Sequence, residues 1–193
     1  ISLFWVDPTA DGVSLKAYPT VDGLRAAELT LEKVSVPGDA LLGPLHGGYE
    51  ILDAVAQEAT LALSAEGLGA MERLYKDTVE YTQNREQFDH PLSDFQTLQH
   101  RMVEMFMEYE QCKSLLYRAT LEFAQDDMAA SKSVSACKHL VGVAGRFIGE
   151  NAVQLHGGMG VTEELAIGHY FKRLFVIDTQ FGPADYHPER YAA

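Results

Sequence analysis

Residues 95–123 read FQTLQHRMVEMFMEYEQCKSLLYRATLEF, and within them Phe95, Leu98, Met102, Met105, Tyr109, Cys112, Leu116, Ala119 and Phe123 step by three or four. That is the period of one face of an α-helix. No proline interrupts the run, so the spacing predicts a long helix that buries this stripe. Upstream, residues 50–84 form a second proline-free stretch rich in Ala, Leu and Glu. Downstream, residues 131–155 set Leu140, Val141, Ala144, Phe147, Ile148 and Ala152 on one side, and residues 162–177 read as a shorter fourth helix. The breaks are His90-Pro91, Gln125-Asp126-Asp127 and His156-Gly157-Gly158-Met159-Gly160. Three long helices and a short one, joined by short loops, predict a mainly α protein, an antiparallel four-helix bundle.

The residues before the bundle read as β. Strand-like stretches at 1–6, 13–18 and 27–36 are separated by turn signals at Asp7-Pro8, Asp11-Gly12 and Asp22-Gly23. Leu29 and Leu31 alternate with Glu28, Thr30 and Glu32, the period of a half-buried antiparallel strand. Three such strands predict a modest, partial antiparallel sheet. Pro37-Gly38, Gly43-Pro44 and Gly47-Gly48 punctuate the exit, placing the boundary near residues 43–48, with β structure over 1–45 and the bundle over 46–193. The chain opens on Ile1 without an initiator Met and reads as one entered midway.

With 193 residues, 47% apolar and 22% charged, the chain is long enough to bury a real core. Its 15 basic and 28 acidic side chains give a net charge of −13, which repels phosphate backbones and anionic lipid. Nucleic acid and membrane are therefore not its expected partners. No charge-free apolar run approaches the roughly 18 residues of a membrane span, and Cys112 and Cys137, both inside helical patterns, suggest no disulfide framework. A reducing, cytoplasmic setting is expected. A metal site is not. No glutamate is followed by His three residues on, the cysteines stand far apart, and neither a Gly-x-Ser-x-Gly elbow nor a P-loop occurs.

Two local clusters carry chemistry. Arg85-Glu86-Gln87-Phe88, then His90-Pro91-Leu92 and Phe95-Gln96, gather a cation, an aromatic and an amide at the joint between two helices. A guanidinium there can clamp a diphosphate bidentately while Phe88 packs on a cofactor face. Taken alone, the motif also reads as a surface arginine capping a helix end. The second cluster is Val153-Gln154-Leu155-His156-Gly157-Gly158-Met159-Gly160. Its glycines expose backbone N–H groups to a ligand, or simply end a helix.

Together, Arg-x-Gln-Phe, Phe95-Gln96 and Ala-Val-Gln-Leu-His-Gly-Gly-Met-Gly resemble the C-terminal domain of the acyl-CoA dehydrogenase family. Upstream, Leu3 to Pro8, Gly12-Val13-Ser14-Leu15, Thr20 to Leu31, Val34 to Pro37 and Leu42-Gly43 look like the second half of that family's middle β-domain. Ile167-Gly168-His169-Tyr170-Phe171-Lys172-Arg173 and Phe181-Gly182 look most like the small-subunit type found in pimeloyl-CoA dehydrogenases.

The resemblance implies an FAD enzyme that oxidises an acyl-CoA thioester to its 2-enoyl form, a carboxylate taking the α proton while the β hydrogen leaves as hydride. It implies an electron-transfer flavoprotein as electron acceptor and a homo- or hetero-oligomer, a dimer or tetramer, because one subunit completes another's flavin site. It also implies that an N-terminal helical domain and half of the β-domain lie outside this sequence. Carried over by motif, Arg85, Phe88, Gln96, Gln154, Gly157 and Gly158 are the expected cofactor contacts. The catalytic base has no matching residue. The two positions from which the family delivers a carboxylate hold Ala59 and Phe181, and the arginine that usually contacts substrate is Thr60. Asp178, Glu58 and Glu164 are the substitute candidates, with Glu163 and Asp185 nearby. Glu58 is one helical step from Ala59, a rotation of about 100°. A base-less partner subunit that completes a flavin site on a second chain is the alternative reading.

Overall fold

The computed structural model describes residues 1–125 and 128–192. Asp126 and Asp127, in the break expected at 125–127, lie outside the described residues. The chain forms two compact units, Ile1–Glu58 and Ala59–Ala193.

In the first unit, β1 (Leu3–Phe4) pairs antiparallel with β4 (Leu41–Leu42), and β2 (Val13–Pro19) with β3 (Arg25–Leu31). The β2–β3 hairpin runs in register from Val13 opposite Leu31 to Pro19 opposite Arg25. The Asp7 carboxylate accepts the Thr9 N–H at 2.8 Å and fixes the first turn. The expected three-stranded sheet is instead two separate pairs. Beyond Leu31 the chain turns out at Lys33, whose φ is +55°, and Pro37 offers no N–H to a ladder.

α1 spans Gly48–Asn84 and enters the second unit, where it is followed by a small hairpin, β5 (Glu86–Gln87) with β6 (His90–Pro91). Then come α2 (Gln96–Ala124), α3 (Ala130–His156), a 3-10 turn at Gly157–Val161, α4 (Ala166–Thr179) and α5 (His187–Ala192). The three long helices and the shorter α4 pack as the period predicts. The fourth begins at Ala166 rather than 162, because the glycine-rich 3-10 turn and an extended Leu165 come first.

The stripe from Phe95 to Phe123 buries its centre. Met105, Tyr109, Cys112, Leu116 and Ala119 are buried, with Leu98, Met102 and Phe123 half-buried against them. Met71 and Leu74 of α1, Val141 and Ile148 of α3, and Leu174 and Ile177 of α4 complete the core. Each such Leu, Ile or Met contributes about 1.5–3 kcal/mol by leaving water. Buried hydroxyls are satisfied within their own helix: Ser64 and Thr78 donate to the carbonyls of Thr60 and Leu74 at 2.7 and 2.6 Å. Cys112 and Cys137 are free and buried, and burial pushes their thiols up to about 12 and about 11. Among the described residues, no helix is long and apolar enough to cross a membrane.

Candidate functional site

The first locus forms where three chain segments end. Arg85 follows the last turn of α1: its N–H donates to the Tyr81 carbonyl at 2.8 Å and its own carbonyl accepts the Leu92 N–H at 2.8 Å. The backbone is thus held on both sides while the side chain stays exposed. Between them Phe88 and Asp89 both have positive φ, +56° and +64°, the two-residue turn that matches strand twist in a hairpin. Opposite, α3 closes at Gly157, whose N–H bonds the Gln154 carbonyl with φ +58° and ψ −139°, a conformation open to glycine.

Tyr81 stacks on the His156 ring at 4.2 Å, and His156 Nδ1 donates to the Ala152 carbonyl at 2.8 Å. This stack ties the end of α1 to the end of α3. Between them lies a cavity of about 820 Å³ lined by Arg85, Arg101, Gln154, Gly157 and Gly158, with Tyr81, Thr97, Leu98 and Met159 among its walls. Arg101 also donates to the Asn151 side-chain oxygen at 3.2 Å. At Gly157 and at Gly158 an added Cβ would meet nothing within 4 Å, so both leave open space beside their backbone. Two guanidiniums, an amide and bare glycine backbone form a donor set suited to a diphosphate.

Four of the six expected cofactor contacts therefore share one cavity. Phe88 and Gln96 do not line it. Phe88 is 84% exposed at its strained turn, edge-on to Phe95 at 6.3 Å, and Gln96 is exposed at the start of α2. Tyr81 and Arg101 were missed in the sequence; the available signals were Tyr81 one helical turn before Arg85, and Arg101 one turn after Thr97.

The second locus is the loop after α4. Phe181 and Gly182 have φ +55° and +100°, and the Phe181 side chain is half exposed. The candidate carboxylates take different surroundings. The Asp178 carboxylate accepts the Ala184 N–H at 3.0 Å, braced inside the loop. Glu163 pairs with Lys172 at 2.7 Å, and that hydrogen bond holds its carboxyl below the usual range. Glu164, Asp185 and Glu58 are exposed, whereas Thr60 is buried. Among the described residues no three His, Cys, Asp or Glu side chains gather as a metal site.

The sequence profile of the acyl-CoA dehydrogenase C-terminal domain matches residues 46–192. The chain is 28% identical over 148 residues to the short-chain specific acyl-CoA dehydrogenase of Megasphaera elsdenii, covering 77% of this chain and 38% of that protein. It is 26% identical over 182 residues to CarC, a subunit of the caffeyl-CoA reductase-Etf complex of Acetobacterium woodii, covering 92% and 48% respectively. The solved structure of PigA with FAD and proline superposes with a TM-score of 0.93 at 25% identity, over 99% of this chain and 50% of that one. The chain spans half or less of the length of each of these relatives.

Proposed function

This chain belongs to the acyl-CoA dehydrogenase family, and on that premise we propose that it carries the C-terminal part of an FAD-dependent acyl-CoA dehydrogenase. In this reading it holds the diphosphate end of FAD and turns a loop toward the substrate thioester. The observation that carries the reading is the cavity in which Arg85, Gln154, Gly157 and Gly158, drawn from separate segments, meet Arg101. Its donors fit the negative charge of the cofactor's diphosphate. Phe88, exposed on a turn with two positive φ values, presents an aromatic face outward for the flavin site of a neighbouring subunit.

When bound, FAD supplies the acceptor for the β hydrogen of the thioester. The residues of this chain bind and polarise. Arg85 and Arg101 hold the anion in place, and the Phe181 N–H hydrogen-bonds the thioester carbonyl, which acidifies the α carbon. Proton removal needs a carboxylate that neither Ala59 nor Phe181 can provide. Those two side chains favour the second reading, a base-less subunit that completes a flavin site on another chain, in keeping with the small-subunit resemblance at 167–173 and 181–182. Electron-transfer flavoprotein is the fitting electron partner, as the Etf complex of CarC suggests, and two free buried cysteines fit a reducing cytoplasm.

The test is flavin content and its reduction. Purified protein should retain flavin absorbance, and Arg85→Ala should lower it, whereas Lys76→Ala, which breaks only an exposed pair with Glu72, should not. Equal FAD content in wild type and Arg85→Ala would sink the cofactor reading. Reduction of the bound flavin by acyl-CoA thioesters selects the dehydrogenase over the base-less partner.

A further inference from the structure

Lys138 lies on the third turn of α3 and is wholly buried. Its ammonium donates two hydrogen bonds, to the Asp178 carbonyl at 2.9 Å and to the Gly182 carbonyl at 2.9 Å. These acceptors bracket the segment that contains Phe181. Burying a charge costs several kcal/mol unless its donors are satisfied, and its chain neighbours Cys137 and Val141 share an apolar core that a methionine would fill as well. Core packing therefore does not account for a lysine here.

The segment it holds is one that would not keep its shape unaided. Phe181 at φ +55° is a bulky side chain in the left-handed region, and Gly182 at φ +100° has no room for a Cβ, which would come 2.5 Å from the Tyr186 ring. Three further contacts tie the loop to α3, α4 and α5. The Asp178 carboxylate takes the Ala184 N–H at 3.0 Å, and His139 Nδ1 donates to the Ala184 carbonyl at 2.9 Å. His187, buried beneath, lies against the Phe181 and Gly182 carbonyls. With the carbonyls of 178 and 182 drawn inward to the ammonium, the Phe181 side of the loop is left facing outward.

The geometry assigns Lys138 as a positioning residue: it grips the carbonyls on either side of Phe181 and so fixes the loop whose N–H meets the thioester carbonyl. This rests on the reading above that the loop faces the thioester. Burial lowers the Lys138 pKa, and the neighbouring Asp178 carboxylate opposes that shift.

Lys138→Met keeps the length and removes the donors. By hydrogen exchange, the amides of residues 180–186 should exchange at least about tenfold faster, while those of Met105–Ala119 stay as in wild type, the effect of losing hydrogen bonds from a charged donor. In Lys138→Ala, ethylammonium chloride should restore loop protection and tetramethylammonium chloride at equal ionic strength should not. Should either variant fail to fold, Asp178→Ala removes the brace from the other side and should loosen the same amides. In flavin-loaded full-length protein, Lys138→Met should weaken binding of an acyl-CoA thioester about tenfold at unchanged FAD content. Loop exchange within twofold of wild type overturns the proposal, as does a loosened loop with unchanged thioester affinity. If wild type holds no FAD, the functional reading fails, and exchange and ammonium rescue alone then decide whether Lys138 clamps the loop.

Discussion

Gly157 and Gly158 are neighbours in one loop, yet a methyl group would do different things at each. Gly157 sits at φ +58° and ψ −139°, so Gly157→Ala should destabilise the fold by about 1–3 kcal/mol. Gly158 has no such strain and open space around it, so Gly158→Ala should change stability by less than about 0.5 kcal/mol. Its methyl would nevertheless enter the cavity beside Arg85 and lower FAD retention. Urea midpoints and flavin content on the two variants separate the effects. His187 is buried, and neither ring nitrogen has a partner of good geometry among the described residues. Burial lowers its pKa from the ordinary 6.5, and the charges of Lys138 on α3 and Arg190 on its own helix act the same way, against the Gly182 and Phe181 carbonyls. His139 of α3 and His187 together line a small cavity. The unfolded chain therefore takes up this proton first. Stability should fall as pH drops below about 6.5, at most about 1.4 kcal/mol per pH unit, and level off below the folded-state pKa. Denaturant titrations across pH should show His187→Phe with a flatter slope.

At the scale of elements, α3 and α4 cross closely because small residues let them. Phe171 of α4 passes over Gly149, where an added Cβ would come 2.4 Å from its ring. Gly149→Ala should cost about 1–3 kcal/mol by overpacking, read as a lowered Tm with α2 unaffected in local exchange. The helices themselves were legible because an apolar step of three or four persists through turn after turn of each one. Short elements were not. The β5–β6 hairpin has two residues per strand, and α5 has six, too few to establish a period against turn residues such as Pro91 and Pro188. The site divides along the same physical line. Arg85, Gln154 and Gly157–Gly158 stand at helix ends, where residue type alone restricts the backbone or offers a clamp. Tyr81 and Arg101 are ordinary helix-surface residues whose turn toward the cavity depends on how α1, α2 and α3 cross, which no local pattern states. The hydrogen bond from Ala184 to Asp178 is equally hidden from local pattern, since it exists only once the loop has folded back.

For the whole molecule, association with further chains is the property most open to measurement. Val103 and Phe106 of α2 are exposed beside Tyr75, Val79 and Met102 along a groove of about 600 Å³. An apolar surface of this kind on a bundle from a family of oligomers should be covered by another subunit. Light scattering at micromolar concentration should show a species larger than one chain, and Phe106→Glu should shift it toward the monomer. The buried thiols bear on how such assembly can be followed. With Cys112 and Cys137 enclosed and held at about 12 and about 11, the folded protein offers almost no thiolate at neutral pH. A maleimide dye should therefore pass over the native chain and attach only to a cysteine installed on the surface. Placed at Phe88→Cys, on the exposed hairpin turn, that dye becomes a reporter whose quenching would register the approach of a neighbouring subunit's flavin, with neither native cysteine removed.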